Sequence, residues 1–291
     1  MRNNSVFPAM VIAVTATVSI GFASVTPRVI YGEDNRKDYY QVQDPAVREL
    51  ANATVALIPR TNIAKQNNGL YKIVAPTFGK DMNLCKNEPY FEQPVAANCS
   101  GALVSEDLIA TAGHCVTSSD CSDYVYVFNY RLNAATQLPN FVSEDDVYSC
   151  TEVVAHEYTR AQDYALLRLD RPVRGVRPVV VSSQGVNPGE SVFVIGHPSG
   201  LPTKIADGAQ VRSLQTGYFV TDLDTYGGNS GSAVFSSRTN QMVGILVRGA
   251  QDFAYDNNNR CTRSNYCTQD GCRGEDVTDA SYIYNLLGSV Q

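Results

Sequence analysis

The sequence predicts an all-β fold of the sandwich or barrel type, with one helix at the C terminus. Its 291 residues can bury a large core, either as one unit or as two packed domains. From about Ala51 onward the chain becomes a series of short apolar runs, most of them bounded by Gly, Pro, Asn, Asp or Ser. Such runs are typical of β-strands separated by turns.

Seven runs are the best strand candidates, and they cover residues 54–58, 70–74, 124–128, 164–169, 179–181, 191–195 and 242–247. Residues 170–178 separate the fourth run from the fifth, and their two prolines, one glycine and three arginines indicate a surface connector. A domain boundary is predicted there, which divides the chain into β-domains over residues 29–170 and 171–291.

The one good helix candidate lies near the C terminus. Ile283, Leu286 and Leu287 recur at helical spacing, so one face of this helix is expected to dock on the body of the protein. Thr278 precedes them and is the expected N-cap.

Residues 1–23 are predicted to be a signal peptide. Arg2 gives a positive start, residues 6–22 form an apolar stretch, and Gly21 and Ala23 supply the small residues that a signal peptidase reads. The alternative is an uncleaved membrane anchor, for which the stretch is short and interrupted.

Residues 24–28 are interpreted as a short propeptide with a processing site after Arg28. The polar segment 29–36 is interpreted as a processed N terminus rather than core. No second long apolar segment follows, so no stable membrane association is expected after signal cleavage. The 23 basic and 29 acidic residues include no dense Lys/Arg cluster, which argues against a nucleic-acid partner.

Eight cysteines follow the leader, at positions 85, 99, 115, 121, 150, 261, 267 and 272. In an exported protein they predict disulfides rather than a metal site, and no cofactor is expected. Three of them fall in a loop predicted over residues 250–276. At least one of the three must bond outside that loop or stay free, with Cys85, Cys121 and Cys150 as the candidate partners.

Three motifs together predict nucleophilic catalysis by a serine. His114 follows an apolar run, Asp163 directly precedes another, and Ser230 lies in the glycine-flanked segment 227–232. A serine hydroxyl is a poor nucleophile at neutral pH, so it needs a nearby imidazole and a carboxylate that holds the imidazole tautomer. Each motif alone is common in turns and cores, but their joint occurrence in this order favours a catalytic triad.

These motifs resemble those of the chymotrypsin/trypsin-like serine proteases, and the resemblance extends from about Val29 to the C terminus. It implies a secreted serine endopeptidase built from two packed six-stranded antiparallel β-barrels. His114 and Asp163 would come from the first barrel and Ser230 from the second. Ser230 would attack the scissile carbonyl, with His114 as general base and Asp163 orienting it.

The resemblance also assigns residues around the triad. A disulfide between Cys99 and Cys115 would clamp the loop that carries His114. The N–H groups of Gly228 and Ser230 would form the oxyanion hole.

Within the family, the chain most resembles bacterial secreted proteases similar to the staphylococcal glutamyl endopeptidase. The segment 29–36 is similar to their mature N terminus, and Asn229 and Ser232 stand where animal trypsins usually have Asp and Gly. Because Asn229 has no charge, activation through an ion pair with a new N terminus is not expected. This branch implies a secreted, extracellular or periplasmic bacterial enzyme that acts as a monomer on polypeptide substrates.

The primary specificity stays open on these residues. Thr225 matches a threonine of the glutamyl enzymes' pocket, but Leu246 stands where they have a histidine and cannot hydrogen-bond a carboxylate. Asp224 is either a trypsin-like partner for Lys or Arg, or a solvated turn residue. Arg248, next to Gly249 on the strand expected to line the pocket, would neutralise Asp224, recruit acidic residues or point into solvent.

Two rival functions fit parts of the pattern. A non-enzymatic binding protein on the same fold usually lacks one of the three catalytic residues, and all three are present here. An esterase would show an α/β chain and the order Ser, Asp, His. His156 and His197 are expected to be structural.

Overall fold

The computed structural model describes residues 30–269 and 271–290, so the predicted signal peptide and propeptide lie outside the described residues. The strands of the described part are β1 (Ile30–Tyr31), β2 (Arg36–Asp38), β3 (Thr54–Pro59), β4 (Ile63–Lys65), β5 (Leu70–Ile73), β6 (Cys99–Leu103), β7 (Leu108–Thr111), β8 (Tyr124–Val127), β9 (Phe141–Ser143), β10 (Val147–Tyr148), β11 (Cys150–Tyr158), β12 (Asp163–Leu169), β13 (Ser191–Gly196), β14 (Lys204–Leu214), β15 (Tyr218–Thr221), β16 (Ala233–Ser236), β17 (Met242–Arg248), β18 (Phe253–Asp256), β19 (Cys261–Ser264), β20 (Tyr266–Cys267) and β21 (Glu275–Asp279). The helices of the same part are α1 (Pro45–Asn52), α2 (Phe78–Asp81) and α3 (Ser281–Val290).

Two large antiparallel sheets dominate the fold. The first has the order β10-β8-β3-β6-β7-β12-β11 and forms a half-barrel. The second has the order β13-β16-β17-β21-β15-β14, and β14 pairs back onto β13 to close a six-stranded barrel. The predicted all-β class with two barrels and a C-terminal helix is confirmed, although the first barrel is only half closed.

The largest hydrophobic core is shared by both sheets. It includes Ile109 and Leu167 of the first sheet together with Phe193, Phe235 and Ile245 of the second. Because each sheet buries an apolar face against the other, the two halves are held in a fixed docking. Loops at their seam are therefore brought together from distant parts of the sequence.

The first described residues pack on the second barrel, although they precede the first in the chain. β1 pairs in parallel with β20, and β2 adds to the edge of β14. Ile30 and Tyr31 are buried, and Asp224 accepts hydrogen bonds from the N–H groups of Tyr31 at 2.7 Å and Asn35 at 2.9 Å. The expectation that segment 29–36 lies outside the core is wrong where the structure describes it, because its apolar side chains fill a groove of the barrel.

The expected cap of the C-terminal helix is also wrong. Thr278 belongs to β21, where it lies opposite Tyr218 and Ile245. The helix begins at Ser281, whose N–H donates to Asp279 Oδ1 at 2.8 Å. Its apolar face docks as predicted, since Ile283 is buried in the shared core.

Helix α1 was not predicted from the sequence, and one predicted strand is absent from the described residues. Pro45 stands at the first position of α1, and the Asp44 carboxylate accepts from the N–H of Ala46 at 2.8 Å. The run 179–181 makes only an isolated bridge, from Val181 to Met242. The other six predicted runs are strands. Among the described residues, no helix is long and apolar enough to cross a membrane.

Candidate active site

The His114 turn follows directly from β7. Residues Gly113–Cys115 form a 3-10 turn, and a Cβ on Gly113 would lie 2.0 Å from the carbonyl oxygen of Glu157. Only glycine fits this close approach, which brings the turn against β11. The Nε2–H of His156 donates to the carbonyls of Gly113 at 2.9 Å and Val116 at 3.2 Å, so His156 holds both ends of the turn.

Asp163 lies behind the His114 ring. It is the first residue of β12, the strand next to β7, and it is 1% exposed. Its Oδ2 is 2.9 Å from His114 Nδ1, and its Oδ1 accepts from the His114 backbone N–H at 3.1 Å. A carboxylate beside Nδ1 favours the tautomer with its proton on Nδ1, which leaves the lone pair on Nε2.

A disulfide fixes the same turn. Cys99 in β6 is bonded to Cys115, which follows His114 directly. The sulfurs near the His114 ring are therefore bonded to each other, and they do not form a thiolate metal site. The other bonds among the described residues join Cys85 to Cys261, Cys121 to Cys150 and Cys267 to Cys272.

The Ser230 loop connects β15 to β16 and packs against the His114 turn. The Ser230 carbonyl accepts from the N–H of Ser100 at 2.8 Å. At Gly231 a Cβ would lie 2.0 Å from the Ser100 carbonyl oxygen and 3.0 Å from the Ala112 nitrogen. Gly231, with φ +89°, therefore lets the serine loop touch the backbone just before the His114 turn.

The N–H groups of Gly228 and Ser230 are free to bind an oxyanion. The Gly227 carbonyl accepts from Ser199 N–H at 2.5 Å, and the Asn229 carbonyl accepts from Ser232 N–H at 2.8 Å. In a trans peptide the carbonyl and the N–H of the next residue point in opposite directions. The N–H groups of Gly228 and Ser230 therefore point away from Ser199 and Ser232. Neither N–H has an acceptor among the described residues.

Only one of the two hydrogen bonds of the predicted triad is present among the described residues. Among the described residues, no hydrogen bond joins Ser230 Oγ to His114 Nε2, whereas the bond from His114 to Asp163 is in place. Catalytic hydrogen bonds are often loose without substrate and tighten only when it binds.

A cavity of about 100 Å³ opens beside Ser230. Four of the predicted pocket residues line it, and they are Thr225, Leu246, Arg248 and Gly249. Asp224 does not; it is buried under the segment that contains Tyr31 and Asn35. Burial raises the pKa of Asp224 to about 6, against the two backbone hydrogen bonds, which lower it.

Sequence reasoning missed two acidic residues of this cavity, Glu275 and Asp252. Glu275 begins β21, which pairs with β17 so that Arg248 lies opposite Asp276. Only this pairing brings Glu275 beside the pocket strand, because 27 positions separate it from Arg248 in the sequence. Little in the sequence signals this strand, because Val277 is the one apolar residue of β21.

Arg248 does not pair with Asp224 among the described residues, and its side chain is 31% exposed. Its Nε is 2.9 Å from Asp276 Oδ2, and its Nη1 is 3.9 Å from Asp163 Oδ2. It therefore links the second barrel to the carboxylate behind His114.

A histidine paired with a buried aspartate and packed against a glycine-flanked serine loop, at the seam of two β-barrels, defines a hydrolase of the serine protease class. The sequence matches the trypsin-like peptidase domain over residues 99–245, just over half of the chain. The protein therefore belongs to the trypsin-like peptidases, which confirms the resemblance and implies peptide substrates. No curated protein is significantly similar to it in sequence.

A solved structure with a TM-score above 0.5 shares the fold. The structure of a Glu endopeptidase in complex with MPD is 17% identical, with a TM-score of 0.51, and the match covers 90% of this chain and 100% of that chain. Two inactive forms of the Rv3671c protease, one of them described as from M. tuberculosis H37Rv, are each 15% identical, with TM-scores of 0.47 and 0.49. Those matches cover 90% and 86% of this chain and 96% and 94% of the other chains.

Proposed function

We propose that this protein is an exported serine endopeptidase that works through an acyl-enzyme on Ser230. The observation that carries the proposal is the hydrogen-bonded pair of His114 and Asp163 beside the serine loop. Four disulfides among the described residues are consistent with an oxidising compartment, outside the cell or in a bacterial periplasm. A mature chain that begins at Val29 and acts as a monomer, with its two domains meeting at residues 170 and 171, belongs to the same proposal.

Acylation begins when Ser230 Oγ attacks the carbonyl carbon of the scissile peptide bond. The hydroxyl proton passes to His114 Nε2 as the new C–O bond forms, and Asp163 stabilises the resulting imidazolium. The carbonyl oxygen becomes an oxyanion that accepts hydrogen bonds from the N–H groups of Gly228 and Ser230. Removing one such donor typically reduces turnover by ~10²–10³.

Breakdown of this intermediate cleaves the peptide C–N bond. His114 gives its proton to the leaving amine, which departs as the new N terminus. Water then enters, loses a proton to His114 Nε2 and attacks the acyl carbon. The second intermediate collapses to a free carboxylate and regenerates the Ser230 hydroxyl, so each turnover consumes one water molecule.

Cleavage of an unfolded protein by the secreted, disulfide-bonded chain tests the proposal. Wild-type enzyme is expected to cut internal bonds, and Ser230→Ala is expected to abolish cutting. Asp163→Asn should lower kcat by ~10⁴-fold, because the amide favours the wrong imidazole tautomer. New peptide termini are counted by mass spectrometry.

The matched control is Ser232→Ala, a serine in the same loop whose hydroxyl donates to Asn229 Oδ1 rather than facing the cavity. It should retain cleavage. Binding of the unfolded protein without cleavage by correctly folded wild type would instead support the non-enzymatic rival.

A further inference from the structure

The cavity beside Ser230 contains a carboxyl group for which no cation is provided. Glu275 is 2% exposed and lines the cavity. Among the described residues it forms no salt bridge. It accepts hydrogen bonds from the hydroxyl of Thr225 at 2.7 Å, from that of Tyr31 at 3.4 Å, and from the N–H of Ala250 at 3.4 Å. Buried carboxylates are normally paired with a cation, so this one is available to a cation that enters with the substrate.

The neighbouring backbone leaves room for this carboxyl group. A Cβ on Gly249 would lie 1.8 Å from Glu275 Oε2 and 2.5 Å from Oε1. The carboxyl group therefore occupies the space that any other side chain at position 249 would take. Gly249 and Glu275 together place the acidic group on the cavity wall.

Arg248, the one arginine among the described residues that line the cavity, forms no salt bridge with Glu275. The Arg248 guanidinium is 2.9 Å from Asp276 and 3.9 Å from Asp163, and the described residues show no contact between it and Glu275. A second carboxyl group, that of Asp252, also lines the cavity, where its Oδ2 accepts from the Gly227 N–H at 2.6 Å. The described residues thus place two carboxyl groups and one guanidinium on the cavity wall, and that guanidinium is already paired with Asp276.

The same contacts disfavour an acidic substrate side chain. The Thr225 hydroxyl donates its proton to Glu275, so it has none to offer a substrate carboxylate. Leu246, which also lines the cavity, provides only apolar contact. Apolar walls with a carboxyl group beyond them match a side chain that has a methylene stem and a cationic tip.

We infer that Glu275 is the main specificity-determining residue of this peptidase, and that the cavity takes the lysine or arginine side chain before the scissile bond. This specificity presupposes the serine peptidase activity proposed above. It assigns to Glu275, on β21, the role that the sequence alone offered to Asp224.

Proton binding by Glu275 makes the preference depend on pH. Burial, reinforced by the nearby Asp252 charge, raises the pKa of Glu275 to about 8, although its hydrogen bonds oppose this. The titratable or charged groups around it are Asp252 and Arg248, which line the same cavity, the Tyr31 hydroxyl, and Arg212, whose guanidinium carbon lies 4.7 Å from the centroid of the Tyr31 ring. The carboxyl group is neutral below this pKa and charged above it, so discrimination for lysine should grow from pH 6 to pH 9.

The test compares kcat/KM for peptides that differ only in having Lys, Arg, Leu, Gln or Glu before the scissile bond. Wild type is expected to favour Lys and Arg over Leu, and Glu275→Gln to lose about 10- to 150-fold of that ratio, the range for a hydrogen bond to a charged group. Asp224→Asn is the matched control and should keep the ratio. A preference for Glu, or a Lys preference that survives in Glu275→Gln, would overturn the inference.

A binding measurement separates failure of the pocket from failure of the peptidase. The fluorescent cation p-aminobenzamidine is titrated into Ser230→Ala protein with and without Glu275→Gln. Binding that Glu275→Gln weakens at least tenfold supports the acidic pocket even if no peptide is cut. Equal binding to both proteins, or none to either, contradicts it whatever the outcome of the peptidase assay.

Discussion

The three histidines of the chain lie in three different environments. His114 faces the cleft with its Nδ1 on Asp163, and His156 supports the turn from behind. His197 is fully buried, stacks on Tyr130 with ring centroids 5.7 Å apart, and donates from Nδ1 to the Leu201 carbonyl at 3.0 Å. The same type of side chain thus pairs with a buried carboxylate beside the cleft at one position and is packed in the core at another.

His197 predicts a loss of stability in acid. Burial lowers the pKa of His197 to about 3, from an unfolded value of about 6.5. The stabilisation from this group is present above pH 6.5 and is lost as the pH falls toward 3, at about 1.4 kcal/mol per pH unit. His197→Asn should be less stable than wild type at pH 7, and the gap should narrow on acidification.

Urea denaturation between pH 4 and pH 7 measures this effect. Because other groups titrate in both proteins, the informative quantity is the difference in free energy of unfolding between wild type and His197→Asn. A difference that stays constant with pH would contradict the role given to His197.

At the pocket, the sequence offered Asp224, a carboxylate that does not line the cavity beside Ser230. Asp224 stands six positions before Ser230, as a trypsin-like specificity residue would, yet its oxygens are occupied by N–H groups of the N-terminal segment. Glu275 lies 45 positions after Ser230 in the sequence. The pairing of β21 with β17 places it beside the cavity. Local motifs could predict the triad candidates because they come with their own turns, whereas a pocket wall assembled from distant strands leaves no local pattern.

Among the elements, the strands were the most predictable. Short runs of apolar residues ended by turn residues identified the centres of β3, β5, β8, β12, β13 and β17. Helix α1 was overlooked because it is only eight residues long, although Asp44 and Pro45 are a recognisable start signal. Thr278 was misplaced because a threonine before an apolar stretch suits a cap or a central strand equally, and its pairing with β15 and β17 decides between them.

At the scale of the whole molecule, one disulfide connects the two halves. Cys85 lies before β6 of the first sheet, and Cys261 begins β19, close in sequence to the pocket loop that contains Asp252. The sequence could show that some cysteine of the 250–276 loop needs an outside partner, but not which one. Cys85 comes within bonding distance of Cys261 only when the two halves are docked.

Removing this bond is expected to weaken that docking. The Cys85→Ser, Cys261→Ser double variant should lose about 2–4 kcal/mol of stability, because the bond restricts a long loop in the unfolded chain. Urea unfolding measures the loss. The Cys267→Ser, Cys272→Ser pair is the matched control, since it closes a loop with a separation of only 5 residues and should cost less. An equal or larger loss in the control would contradict the linking role of the Cys85–Cys261 bond.

The central claim is that His114 activates Ser230, and labelling with a fluorophosphonate probe tests it most directly. Intact, disulfide-bonded wild type should be labelled on the peptide that contains Ser230, as located by mass spectrometry. His114→Ala should react far more slowly, and Glu275→Gln should still be labelled because it alters the pocket rather than the nucleophile. Labelling at another serine, or none in the folded wild-type protein, would contradict the account.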